Sequence, residues 1–482
     1  MDNGTSSVRA ALYDGRANPL PRMSAKIERS LAVTPDGGSE IDADEAFAQV
    51  VAAIDAVHGK VGSVKGEIGY VATSAFWHSL VGVDIKGKPT TKVFGWADTR
   101  SRKYSEVLRK HFNESRAHNR TGARFHSSFW PAKLLWLRHE FPDVFAKTAR
   151  WLSLSDYIAM QLFGKAESSV SMASGTGIFD IGKCEWDGEL LRFLKVKPDN
   201  LPEIAESDAT TFQLNKAFAK RWPRLKNALW FAAIGDGVAD NIGSGCVTKT
   251  KAALMIGTSG AMRVAYVGEP PEKIPDGLWC YRIDRKRIII GGALSDGGGL
   301  YRWLKDNLKL PKNAEDEIAR REPAAHGLIF MPFVAGMRST GYHEYTTGAV
   351  LGLRSSTDSI DILQAAMESV AYRFAEILDQ LNSVVKIKEI VVSGGALRDS
   401  PVWTQIIADV LGRDLTMNDA SESSSRGAVL LALESIGKIE NIEALPQPVG
   451  YKTAFHPKCH SIYKTARKQH LAYYESILKL NS

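Results

Sequence analysis

Along the chain, short apolar runs rich in β-branched residues alternate with longer stretches whose apolar positions recur every three or four residues. The runs at residues 68–72, 252–256, 288–290 and 390–392 predict strands. Helical spacing predicts helices over residues 42–56, 360–381 and 402–411, and an amphipathic one over 464–480 that packs on the second half of the chain. Asp42 stands where an N-cap belongs, and Glu45 is spaced to close a capping box with it. Strands alternating with helices indicate an α/β chain.

Two distant segments match. Gly4-Thr5-Ser6-Ser7-Val8-Arg9-Ala10 resembles Gly257-Thr258-Ser259-Gly260-Ala261-Met262-Arg263-Val264-Ala265, and each runs into a short β-prone stretch and then a glycine. Their places at the starts of two near-equal halves predict two related domains, residues 1–246 and 247–482. The turn Gly243-Ser244-Gly245 marks the division. A chain of 482 residues agrees with two to four domains.

Composition narrows the class. With 44% hydrophobic and 24% charged residues the chain is an ordinary globular one. No stretch has the roughly 18 apolar residues of a membrane helix, and the start lacks the pattern of a secretory signal, so no membrane partner is expected. The net charge of +7 is spread out, the densest basic clusters (282–287 and 464–468) being short, which speaks against a nucleic-acid partner. Cys184, Cys246, Cys280 and Cys459 form no CxxC pair. Neither a zinc site nor a disulfide framework is indicated, and a reducing compartment, the cytoplasm, fits.

Several segments carry chemistry. Asp2-Asn3-Gly4-Thr5-Ser6-Ser7 puts a carboxylate, a glycine and three hydroxyls in one turn. Such a turn can bond phosphate through backbone N–H groups and hydroxyls while Asp2 holds hydrated Mg²⁺. An Asx-type turn reads equally well there, and the echo at residues 257–260 tips the balance toward a nucleoside triphosphate held between two domains. Gly394-Gly395-Ala396, between a strand and a helix, can receive a flat ring or a phosphate, though a plain strand-to-helix turn has the same residues. Asp236 and Asp240 stand at i and i+4 beside Gly235 and Gly237, where glycines would let a substrate approach a general base. On these residues alone a helix cap accounts better for Asp236 and a solvated or ion-paired group for Asp240. Trp77-His78-Ser79 and Trp96-Ala97-Asp98-Thr99-Arg100 mix aromatic faces with polar groups, which suits a polyhydroxylated ligand; Asp98 and Arg100 also fit a structural ion pair.

Together these residues resemble the FGGY family of carbohydrate kinases. Residues 2–9 resemble its first phosphate loop and 257–260 its second, and Gly394-Gly395-Ala396 its adenosine-binding turn. Gly348, Val350, Gly352-Leu353, Asp361-Ile362 and Ala365-Ala366-Met367-Glu368 match its C-terminal signature. Lys133-Leu134, Trp136-Leu137 and Glu140 match the N-terminal one, with Trp130 and His139 as departures. The resemblance implies two actin-like, ribonuclease H-like ATPase domains with the active site in the cleft between them. It implies an ATP-dependent transfer of phosphate to a terminal hydroxyl, with Mg²⁺ near Asp2 and domain closure excluding water. Asp236 becomes the catalytic base, which overturns the cap reading. The nucleotide falls to Gly4, Thr5, Ser6, Arg9, Gly257, Thr258, Ser259, Gly394, Gly395 and Ala396. The sugar falls to Trp77, His78, Ser79, Asp98, Arg100 and Asp236.

Within the family, residues 77–84, 96–100, Thr121-Gly122, His126 and 173–177 are most similar to gluconate kinases, with Arg100 as the cation for the sugar acid. Gly336-Met337-Arg338-Ser339 departs by carrying Met where Glu is usual. A xylulose or other ketose or polyol kinase is the alternative. A non-catalytic, nucleotide-switched actin-like binding protein is the alternative of another class, which could dispense with Asp236. A homodimer is left open. In actin-like domains the first strand lies inside the sheet, yet only Met1-Asp2-Asn3 precede Gly4. That strand is therefore expected to be missing and Asp2 to fray. Either Met1 is then not the natural start, or the chain as written is unstable or weakly active.

Overall fold

The computed structural model describes residues 1–206, 210–420 and 422–480. In the second half seven strands lie in the order Trp279–Arg282, Arg287–Leu294, Gly260–Val267, Lys251–Ile256, Glu389–Ser393, Leu415–Asn418, Val449–Thr453. Lys251–Ile256 is central, antiparallel to Gly260–Val267 and parallel to Glu389–Ser393. Residues 252–254 are buried, which is why this strand reads as an apolar run and not as an alternation. Ser359–Asn382 packs against the sheet through an almost continuous apolar face, its start fixed by a reciprocal cap between Asp358 and Asp361. The C-terminal helix Pro457–Leu480 packs on Pro401–Leu411, and His470 Nε2 meets the Phe330 carbonyl at 2.8 Å.

The first half repeats the plan in shortened form. Its strands run Ile234–Gly235, Ser74–Ala75, Asp2–Asn3, Ser7–Tyr13, Pro19–Glu28. Asp2 and Asn3 pair antiparallel with Arg9 and Val8 and parallel with Ser74 and Ala75. The two Gly-Thr-Ser turns are thus the tips of equivalent hairpins, as the sequence match predicts. The first strand is present as two residues, against six in its counterpart. Asp2 does not fray: it is buried, and the Met1 ammonium donates to the Ala72 carbonyl at 2.6 Å while Ser74 N–H donates to Met1 O at 2.8 Å. Pairing on both sides holds what the short strand cannot hold by length.

Local expectations hold with one exception. Asp42 caps Ala43–His58 by accepting from the N–H groups of Asp44 and Glu45, but Glu45 turns to Gln49 instead of closing the box. Trp130, a departure from the family signature, is fully buried and donates from Nε1 to Ser79 O at 2.9 Å. Its large ring therefore fills the interior. No helix among the described residues is long and apolar enough to cross a membrane.

The halves meet through two helices, Asp236–Gly243 and Ser423–Ser435. Glycines let their backbones touch: a Cβ on Gly427 would lie 1.8 Å from Ala239 O, and one on Gly243 1.8 Å from Ser423 O. This close crossing fixes the end of the first half that carries Asp236.

Candidate active site

Between the halves lies a cavity of about 290 Å³ lined by Arg9, Asp236, Arg263, Gly394, Gly395 and Arg398, among others. Four of these, Arg9, Asp236, Gly394 and Gly395, are sites expected from the sequence.

Asp236 is the first residue of its helix; Gly235 holds the N-cap position. Its Oδ1 accepts from the neighbouring Gly237 N–H at 2.8 Å, and no cation is ion-paired with its carboxylate among the described residues. Burial raises its pKa to about 6, and the Arg263 guanidinium opposes that rise. Asp240 is the paired carboxylate: Arg263 reaches its Oδ2 at 3.2 Å and Ser423 donates to its Oδ1 at 2.6 Å. Of the two readings of Asp240 the ion-paired one matches this geometry, but the pair is buried and bridges the halves instead of lying at the surface. The flanking glycines also serve a different purpose from the one expected. A Cβ on Gly235 would lie 2.0 Å from Trp77, and one on Gly237 2.4 Å from Arg263. They make room for Trp77 and Arg263, the side chains packed around Asp236, and Gly237 also lines the cavity.

Asp2 lies near Asp236 at the root of the first hairpin. Ser74 donates to its Oδ1 at 2.5 Å and Arg9 approaches its Oδ2 at 3.5 Å. Arg9 is shared with Glu422 at 3.3 Å. A buried, oriented carboxylate beside Arg9, which lines the cavity, fits a hard divalent ion carried in with phosphate oxygens.

The three glycine turns of the nucleotide side converge only partly. Gly394 has φ +100°, and a Cβ there would lie 2.2 Å from Ile256 O, so the turn sits directly on the strand that leads into Gly257. Gly257 and Thr258 accept through their carbonyls from Gly298 and Gly299 N–H, both at 2.8 Å. A Cβ on Gly298 would lie 3.0 Å from the Ala396 methyl. Asp296-Gly297-Gly298-Gly299 thus joins the second turn to the third and opens the helix Gly298–Asn307. This segment was missed from the sequence, although its run of three glycines before a helix was the available signal. Burial raises the pKa of Asp296 to about 7, and both its oxygens accept from Ala335 N–H at 3.1 Å. Gly4, Thr5 and Ser6 form the tip of the other hairpin, closed by Gly4 N–H to Ser7 O.

On the acceptor side the expected residues separate. His78 presents Nδ1 to the Gly175 carbonyl and packs edge-on to Phe129 with centroids 4.8 Å apart. A carbonyl partner makes Nδ1 the protonated nitrogen and Nε2 an acceptor. Burial lowers its pKa to about 3. Trp77 donates to Ser171 O and packs 5.1 Å from Tyr281. Ser79 is fully buried, its Oγ accepting from Leu154 N–H at 3.0 Å, so it ties loops together away from the cleft. Asp98 accepts from Ser39 N–H and Arg100, and Arg100 also pairs with Glu40. Burial lowers the Arg100 pKa, but the bonds to Asp98 and Glu40 outweigh it and raise it overall. With two carboxylates already on it, Arg100 has no charge to spare for a sugar acid. The ion-pair reading of Asp98 and Arg100 is the one the geometry matches.

Two cations have no ion-paired carboxylate among the described residues, and the charge of Asp236 acts on one of them, Arg338. Arg338 stacks 4.4 Å over Trp96 and donates to Leu294 O at 3.0 Å. Its Nε is buried without a partner, and no carboxylate lies within 4.0 Å among the described residues. Lys133 donates to Ser128 O at 2.5 Å, with His78 O at 3.5 Å. Burial lowers both, Lys133 to about 7, and both repel a proton from His78. Outside the cleft, Asp409, His456 and Cys459 bring three ligand atoms within 4.8 Å of one another, a grouping that cysteine spacing could not reveal.

The N-terminal domain model of the FGGY family of carbohydrate kinases matches residues 1–243 and the C-terminal domain model residues 252–435. A gluconokinase of Bacillus subtilis (strain 168) is 27% identical over 93% of this chain and 90% of its own. The crystal structure of a gluconate kinase from Lactobacillus acidophilus superposes with a TM-score of 0.90 at 25% identity, covering 99% of this chain and 97% of that one. A xylulose kinase structure from the same species gives 0.91 at 24% identity, with the same coverage.

Proposed function

The chain belongs to the FGGY family of carbohydrate kinases, and we propose that within it the protein phosphorylates a sugar acid, gluconate before other acids. It is a phosphotransferase with an alcohol group as acceptor and a family that uses ATP as donor. The observation that carries the choice of an acid is the pair Arg338 and Lys133 beside a neutral His78. A buried Lys133 and a half-buried Arg338 with no ion-paired carboxylate are costly in the free protein, and an anionic acceptor would offset that cost. The similarity to gluconate kinases points the same way.

In this reading Asp236 accepts the proton of the acceptor hydroxyl as its oxygen attacks the γ-phosphorus in line. A carboxylate with a pKa near 6 is ionised at neutral pH yet basic enough for the task. The Arg263–Asp240 pair keeps Arg263 from quenching Asp236 directly. His78 Nε2 accepts from a sugar hydroxyl, and Trp96 under Arg338 offers a face to the carbon chain. Gly394, Gly395 and the 257–259 turn receive the nucleotide, with the hairpin tip at Gly4, Thr5 and Ser6 opposite. Asp2 would hold Mg²⁺, which when bound neutralises charge on the transferring phosphate.

The test is ADP release by the purified protein over gluconate, xylulose, glycerol and ribulose. Gluconate should give the highest kcat/KM by at least about tenfold, about 1.4 kcal/mol of transition-state preference. A neutral ketose or polyol turned over as well as gluconate would refute the acid reading and favour a xylulose- or glycerol-type kinase. No ADP release with any acceptor, while ADP still binds, would favour the nucleotide-switched binding protein.

A further inference from the structure

Three side chains of different metal-ligand classes meet where the C-terminal helix begins. Asp409 comes from the helix Pro401–Leu411, His456 from the turn after the strand Val449–Thr453, and Cys459 from the first turn of Pro457–Leu480. One ligand atom of each lies within 4.8 Å of those of the other two. No CxxC pair marks the place in the sequence, but His456 and Cys459 are spaced as His-x-x-Cys, which puts an imidazole and a thiol at one helix start. The fold supplies the carboxylate from 47 positions away. Asp409 is buried, Cys459 half-buried and His456 exposed, so the cluster has a fixed floor and an opening to solvent.

The hydrogen bonds in the cluster do not close. Asp409 Oδ1 accepts from His456 N–H at 2.6 Å and from Gln405 Nε2 at 3.0 Å. Gln405 Nε2 also donates to Ala454 O at 2.9 Å. His456 Nδ1 lies 3.3 Å from Asp409 Oδ2 and 3.1 Å from Gln405 Nε2. If Nδ1 carries no proton, its lone pair faces the carboxylate, and the two hydrogens of Gln405 Nε2 must serve three acceptors. If Nδ1 carries the proton, it meets Gln405 donor to donor. A cation bound to Nδ1 and Oδ2 removes both conflicts and leaves one hydrogen of Gln405 for Asp409 Oδ1 and one for Ala454 O.

Cys459 stands in a matching field. Burial raises its thiol pKa above the ordinary value, and the Asp409 and Glu322 carboxylates raise it further, with Lys458 opposing. Anionic surroundings that disfavour a bare thiolate favour one bonded to a divalent cation.

We propose that Asp409, His456 and Cys459 form a zinc site, its fourth position open to water, that clips the start of the C-terminal helix to Pro401–Leu411. Oxygen, nitrogen and sulfur donors together suit Zn²⁺ and not the hard ions that take oxygen alone. Bonds of about 2.0–2.3 Å around a tetrahedron hold ligand atoms roughly 3.3–3.7 Å apart. Asp409 and His456 Nδ1 already stand at 3.2 and 3.3 Å, and a turn of the Cys459 side chain brings Sγ in.

The test titrates the full chain, freed of metal and nucleotide, with Zn²⁺ by calorimetry and with Co²⁺ by absorbance. The native chain should bind one Zn²⁺ with a Kd of about 1 μM or tighter, and Co²⁺ should give the charge-transfer band of a cobalt thiolate. Cys459→Ser and His456→Asn should each weaken Zn²⁺ binding by about 100-fold or more. Cys459→Ser should also abolish the cobalt band, while Cys184→Ser changes neither readout. Zn²⁺ should slow amide exchange over residues 456–462 at least about tenfold in the native chain and not in Cys459→Ser. No tight binding by the native chain, binding that survives both substitutions, or a cobalt band that persists in Cys459→Ser would overturn the site.

Discussion

Arg263, from the second half, holds Asp240, from the first, at 3.2 Å, while Asp236 one helical turn earlier has no cation bonded to it. The same pair bridges the halves and divides the labour between the two carboxylates: one is neutralised, and one is left to titrate.

That division sets the first expectation. Asp236→Asn should lower turnover by about 10²–10⁴ while leaving ADP affinity nearly unchanged. The fold raises this pKa from 3.8 to about 6, so the folded state holds the proton more tightly between those values. Stability from this group therefore falls as pH rises through that window, and the cost is full above about pH 6. The Asn variant should melt no lower than the native chain at pH 7.5, and its advantage should vanish below pH 4. Activity of the native chain should fall as pH drops below about 6. A variant that melts lower at neutral pH would return Asp236 to a structural role.

Arg338 and Arg100 should behave in opposite ways. Arg338→Ala should raise KM for gluconate at least about 30-fold and change KM for a neutral polyol little, since the side chain is not spent on another carboxylate. Arg100→Ala strands Asp98 and Glu40 in partly buried positions, at a cost of about 3–5 kcal/mol. It should lower the melting temperature and affect all acceptors alike. Steady-state kinetics with both acceptors, beside thermal melts, separates the two; the reverse pattern would restore Arg100 as the acid-binding cation.

Gly394→Ala tests the nucleotide turn. A methyl would collide with Ile256 O, and φ +100° is strained for any L residue. ADP affinity measured by calorimetry should fall by at least about tenfold, with circular dichroism unchanged. Undiminished ADP binding would separate this turn from the nucleotide site.

Removing Mg²⁺ with a chelator should abolish ADP release without changing the melting temperature of the nucleotide-free chain, because the ion is expected to enter with phosphate and not to hold the fold. Asp2→Asn should raise the Mg²⁺ concentration needed for half-maximal activity by about tenfold. An unaltered Mg²⁺ requirement would remove Asp2 from the metal site.

Asp236 illustrates how far single residues can be read. Its carboxylate beside glycines looked like a cap until the resemblance of the whole chain weighed in, and the cap turned out to be Gly235. What packs against these glycines is Trp77 and Arg263, residues 158 and 26 positions away from Gly235 and Gly237 respectively, which no local pattern shows. Arg338 went unchosen for a similar reason. Nothing in Gly336-Met337-Arg338-Ser339 says that this cation lacks a carboxylate and that Arg100 has two.

The sequence by itself determined the α/β alternation, the pair of Gly-Thr-Ser hairpin tips, the family and the helices with strong apolar spacing, because each depends on contacts within a few residues or on a pattern repeated along the chain. Only the tertiary structure decided which charges are spent and which are free. Whether Arg100 is neutralised depends on Glu40, 60 positions away, and whether Asp236 titrates near 6 depends on burial between two halves that are adjacent only after folding. Charge pairing and desolvation are properties of neighbours in space, and local sequence does not encode who those neighbours are.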